Sequence, residues 1–125
     1  MKKKIKIEFL NNFIIVELDN TDTAKEIWDA CPIKSVTNKW GKEIYFETGI
    51  KAVKEKSAKD IINFGEIAFW VEGSSIAIGF VATPISKVDE IRLLTKANII
   101  GKTKSDLSIL EVVNSGEIVI VDRIY

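Results

Sequence analysis

Apolar and polar residues alternate from the start of the chain: Ile5, Ile7 and Phe9 are separated by Lys6 and Glu8, the period-two pattern of a strand with one buried face. Asn11 and Asn12 tolerate turn geometry and send Phe13 to Leu18 back alongside, so the chain opens with a hairpin. The period then changes. Ala24, Ile27, Trp28 and Cys31 recur at helical spacing, Thr23 with Glu26 fits a capping box, and Pro32 ends the run. This predicts a short amphipathic helix with its stripe, Trp28 included, turned to the core.

Strand-like patterning returns over residues 33–46, where Trp40, Ile44, Tyr45 and Phe46 surround a turn at Gly41. Residues 51–64 are lysine-rich and fit either a turn of helix or a loop. In residues 65–80, GEIAFWVEGSSIAIGF, Ile67, Phe69 and Val71 point one way and Ala68, Trp70 and Glu72 the other. Gly73 to Ser75 reverse the chain into Ile76, Ile78 and Phe80. A polar connection through Arg92 leads to a strand over Ala97–Ile100 that Gly101 ends. Ser105 or Asp106 can cap a second short helix through Leu107, Leu110 and Val113, and residues 117–125 form the last strand. About eight strands and two short helices, with no linker or repeat, predict one mainly β domain over residues 1–125. The expected architecture is a closed eight-stranded antiparallel barrel with two short flanking α-helices.

Composition fits one core and not two: the chain has 125 residues and 46% hydrophobic content. Lys and Arg number 18 and Asp and Glu 18, so no net field draws the molecule to a phosphate backbone or an anionic membrane, and nucleic acid is not an expected partner. The basic run Lys2, Lys3, Lys4 and Lys6 reads as an edge strand kept soluble by lysine. No apolar run approaches the roughly 20 residues that span a bilayer, and no signal-peptide core follows the basic start. The expectation is a cytoplasmic protein. Cys31, the single cysteine, allows no intrachain disulfide and falls on the apolar helix face, where packing is its expected role.

Histidine is absent. No Ser-His or Cys-His pair can activate a nucleophile, and with one cysteine only oxygen ligands remain for a metal, so neither a metal nor another cofactor is expected. Glycine-rich phosphate loops are missing as well. Glu43 and Glu72 each interrupt an aromatic strand, and a solvated strand face or acid-base work would both explain them. What remains is an aromatic cluster, Tyr45, Phe46, Phe69, Trp70 and Phe80, on segments able to pair in one sheet. Strand alternation lets some of these rings face a groove, while core packing remains open for all of them.

The order of the pieces carries a resemblance. A hairpin, a helix with TAKEIWDAC, an aromatic middle, then SIAIGFVAT and ANIIGKTKSDLSILEVV resemble the cyclophilin layout. LDNTDTA, EIYF, GEIAFW with Gly73, and TPIS are similar to compact prokaryotic cyclophilin-like proteins. The resemblance implies an eight-stranded barrel with two helices. In active cyclophilins it also implies cis/trans isomerisation of X-Pro bonds, driven by an arginine in a Phe-His-Arg sequence that hydrogen-bonds the prolyl nitrogen. Phe80 matches a pocket-lining phenylalanine of that family. The rest of the apparatus is replaced: Phe-His-Arg is missing, and the two arginines, Arg92 and Arg123, lie downstream of where it would stand. Near its place stands Lys39, which lacks a planar guanidinium fork. Ala97 stands near the family's pocket histidine and Ile78 where a glutamine is typical.

The expected function is therefore a cyclophilin-like binding module that takes a peptide segment or small ligand at an aromatic groove. Its candidate residues are Glu43, Tyr45, Phe69, Trp70, Glu72, Phe80 and Arg92. An atypical, weak prolyl isomerase is the enzymatic alternative, and a structural subunit that forms a homo-oligomer through exposed aromatics is another.

Overall fold

The computed structural model describes residues 2–79 and 91–125. Ten strands form one antiparallel sheet system: β1 (Lys4–Glu8), β2 (Phe13–Leu18), β3 (Ile33–Val36), β4 (Asn38–Trp40), β5 (Glu43–Glu47), β6 (Lys59–Ile62), β7 (Glu66–Trp70), β8 (Ser75–Gly79), β9 (Ile91–Thr103) and β10 (Ile118–Ile124). The strand order is β3-β10-β1-β2-β9-β7-β8-β5-β4, and β6 pairs with β9 outside that path. The two end strands, β3 and β4, are consecutive in the chain with Thr37 between them, so the sheet curls into a nearly closed barrel.

The described strands outnumber the eight expected, for two reasons. Thr37 breaks what the pattern reads as continuous strand. It is buried, its Oγ1 donates to the Asn114 carbonyl at 2.7 Å, and its N–H donates to the Glu117 carbonyl at 2.9 Å. Those bonds turn the backbone toward the 114–117 loop and away from a ladder. The second reason is β6, which arises from the lysine-rich segment that fits helix or loop by pattern. It is a strand because β9 offers it an edge.

Helix α1 (Asp22–Ala30) occupies the expected segment, with its cap shifted by two residues. Thr21, and not Thr23, is the N-cap, its Oγ1 accepting from the Ala24 N–H at 3.2 Å. Thr23 is buried in the first turn and donates from Oγ1 to Glu55 Oε2 at 2.6 Å. Asn98, fully buried on β9, joins the same group: its Nδ2 donates to Thr23 Oγ1 and to the Val53 carbonyl, both at 2.9 Å, and its Oδ1 accepts from the Glu55 N–H at 2.8 Å. This polar knot ties the irregular 50s segment to helix and sheet. The second helix is a 3₁₀ helix, Leu107–Val112, in place of the α-helix expected there, capped by Asp106 and buried through Leu110.

Ala24, Ile27 and Cys31 enter the core as the helical stripe requires, while Trp28 is half-buried under Lys3 and Arg123. Arg123 donates from Nε to the Trp28 carbonyl at 2.8 Å and from Nη2 to the Asp29 carbonyl at 3.1 Å, which serves a helix end that has no basic residue of its own. The N-terminal lysines do not guard an edge, because β1 lies between β10 and β2. Lys2 instead stands within 3.9 Å of Glu17 and 3.7 Å of Asp19, and Lys6 within 3.8 Å of Glu8.

Inside the barrel, Ile5, Ile7, Ile14, Val16, Ile44, Phe46, Ile67, Phe69, Ile76 and Ile78 are all fully buried. A second, smaller cluster joins Ile62, Ala68, Ala77, Ile91, Leu93 and Ala97. Strands β7 and β8 are therefore covered on both faces. Large side chains fill the barrel side, and alanines lie under β6 and the start of β9.

Candidate functional site

The two-sided burial of β7 and β8 creates a site on the outside of the barrel wall. Across β5, β8 and β7 the pairings Tyr45↔Ala77 and Ala68↔Ala77 make one row, and Glu43↔Gly79 lies in the next. The small side chain of Ala77 leaves space above the sheet where a larger one would fill it. The wall facing that floor comes from an irregularity in β9. Lys59 pairs with Ala97 and Ile61 with Arg92, so β9 spends more residues than β6 over the same span and arches outward. Leu93, Leu94 and Thr95 on that arch, with Ala97, enclose one side of a slot of about 130 Å³.

Three aromatic rings complete it. Tyr45 and Trp70 meet edge to face, their centroids 6.0 Å and their planes 89° apart, which forms a right-angled corner. Trp40 stands opposite Glu43 across β4 and β5 and supplies another wall. Trp70 is held from behind by Gly73, where a Cβ would run into the indole ring. Its Nε1–H is buried and meets no acceptor among the described residues. A lone buried indole donor costs free energy, so this corner is unfinished unless something else accepts from it.

Glu43 is the one ionisable carboxyl lining the slot among the described residues. It is only 8% exposed, and burial pushes its carboxyl up from 4.5 to about 7. No described residue forms an ion pair or hydrogen bond with it. The two lysines nearest in sequence are engaged elsewhere: Lys42 pairs with the Glu111 carboxylate at 2.8 Å, and Lys39 donates to the Glu111 carbonyl at 3.0 Å.

Of the residues expected at the site, Glu43, Tyr45 and Trp70 come together. Phe69 does not, because it faces the barrel interior with Ile76 and is fully buried. Glu72 does not share the Trp70 face, because the strand ends at Trp70 and Glu72 sits in the exposed turn. There Lys54 bonds it at 2.7 Å and holds its carboxyl below the usual range. Arg92 neighbours the slot in sequence but lies half-buried with Asp60 at 3.9 Å. Phe80 lies outside the described residues. Trp40 and the Leu93–Thr95 arch are additions, and Trp40 had a signal: a two-residue Gly41-Lys42 turn places it directly across from Glu43.

Among the described residues no three metal-ligating side chains come together, and no helix is long and apolar enough to cross a membrane. The sequence model of the cyclophilin-like family matches residues 3–122. A hypothetical protein from Archaeoglobus fulgidus, known from its solution structure, is 36% identical over 98% of this chain and 95% of its own, with a TM-score of 0.84. No curated protein matches. The barrel with its helix after the first hairpin and a family match over nearly the whole chain agree: the protein belongs to the cyclophilin-like family.

Proposed function

We propose that this protein is a binding module that takes a small ligand, or the head group of a peptide side chain, in the slot bounded by Trp40, Tyr45 and Trp70. The observation that carries the reading is a small apolar slot lined by three aromatic rings and one buried carboxyl, with the Trp70 indole N–H left without an acceptor among the described residues. Binding sites commonly combine apolar walls with one or two placed polar groups, and Trp70 Nε1 with the Glu43 carboxyl are such a pair. The volume favours a head group, since drug-sized ligands occupy pockets of roughly 300 Å³ and more.

Isomerase activity has less support. That reaction needs a donor for the prolyl nitrogen, and the described residues lining the slot include no arginine. Arg123 is committed to the end of α1.

The test is a fragment screen followed by ¹H-¹⁵N spectra, which resolve the indole N–H signals, with Trp70 assigned through a Trp70→Phe variant. Fragments that shift the Trp70 indole signal and the Tyr45 backbone support the proposal. If a chemically diverse set at millimolar concentration leaves both unmoved in the folded protein, the proposal fails.

A further inference from the structure

We infer that the slot selects small organic cations, a primary to quaternary ammonium head group seated in the Tyr45–Trp70 corner against the Glu43 carboxylate. This deepens the binding-module reading and rests on it.

The case begins with the walls. Aromatic faces are negative at the centre of the ring, so a cation among several rings gains from each of them, and most when water is excluded. Trp40, Tyr45 and Trp70 line one small cavity, two of them at right angles, so a compact head group can lie against several rings at once. Aliphatic walls alone would hold a neutral group equally well and would give no reason for three aromatics.

The second element is the charge. Glu43 is buried in the slot, and neither Lys39 nor Lys42 compensates it, both being held at Glu111. No lysine or arginine is among the described residues that line the cavity. A buried carboxylate without a partner is a standing cost that an entering cation removes, whereas an anionic head group would meet a like charge. At and above neutral pH Glu43 is ionised often enough to serve, because burial pushes its carboxyl up to about 7 and no further.

The test compares choline with its neutral carbon isostere, 3,3-dimethyl-1-butanol, by titration followed through the indole signals of the wild-type protein. Choline should bind at least ~10-fold more tightly, the scale of one buried cation–aromatic contact. Glu43→Gln, which removes the charge and keeps the rings, should weaken choline by a larger factor than it weakens the isostere and so narrow that preference. If the isostere binds as well as choline at the Trp70 corner, the cation inference is overturned and the binding-module reading stands. The same holds if only neutral or anionic fragments bind there. Should no compound of any charge move the Trp70 signal, both fall together. The wild-type comparison decides the matter even if the Glu43 variant does not fold.

Discussion

Glu43 stands directly opposite Gly79 across β5 and β8, and Gly79 is in turn covered by Ile91, whose Cγ2 lies 2.6 Å from where a Cβ would project. The carboxyl thus neighbours a backbone packed too closely for any side chain, beside a fully buried isoleucine.

Stability should depend on Glu43 in a direction opposite to that of an ordinary surface carboxylate. Its folded pKa of about 7 lies above the usual 4.5, so the folded state holds the proton more tightly than the unfolded state does. The contribution is fully present below pH 4.5 and is lost as pH rises through 7. Urea unfolding of wild type and Glu43→Gln from pH 5 to 8.5 measures it. The difference between them should shift by roughly 2–3 kcal/mol in favour of the variant as pH rises. A difference that stays flat would mean the carboxyl is not raised.

Binding of a cation should show the complementary profile. Protonation removes the charge that attracts the ligand, so choline affinity should hold steady above pH 7 and fall by up to about tenfold per unit below it. Of the other charged groups near the slot, Lys39 and Lys42 are fixed at Glu111. Titrations at pH 6, 7 and 8 would settle it, and equal affinities would count against Glu43 as the anchor.

Gly79→Ala should displace Ile91 and cost about 1–3 kcal/mol, the range for a methyl forced into a packed site. Denaturation midpoints are the readout. A neutral result would show that Ile91 can move aside freely.

Asn98→Ala removes the side-chain partner of two backbone groups, the Glu55 N–H and the Val53 carbonyl, and takes a donor from Thr23 Oγ1, which keeps its bond to Glu55. The expected loss is about 1–3 kcal/mol, with faster amide exchange at Glu55. Unchanged exchange there would show that the 50s segment is anchored by other contacts.

Cys31 should resist thiol reagents until the protein unfolds. Burial pushes its thiol up to about 11, and Sγ sits 3.2 Å from the Ile27 carbonyl. Reaction with a disulfide reagent at pH 8 should be at least ~100-fold slower in the folded protein than in urea. Comparable rates would place the thiol in solvent.

The alternation of Ile67 and Phe69 with Ala68 and Trp70 separates the two faces of β7 in the sequence, while the pairing that brings Tyr45 to the Trp70 side appears only in the sheet. Phe69 stands among the expected site residues because alternation separates two faces without saying which is the interior, and the barrel takes the Phe69 face. Glu72 misled because alternation says nothing about where a strand stops, and the turn begins at Val71. The β9 arch left no mark in the sequence. It exists because two strands of unequal length pair over one span, a property of the pairing and not of either segment. Thr37 was hidden for a similar reason, since the loop that bends it lies about 80 residues away in the chain.

On β7 and β8 the residues that hold the barrel shut and those that shape the slot alternate along the same strands, one set facing in and the other out. A change at an outward position can therefore reshape the slot while the inward neighbours keep the architecture intact. A fold arranged this way separates inheritance of shape from inheritance of specificity. Exchanging a few outward residues can give such a barrel a differently shaped wall, and the same backbone can outlast many such exchanges.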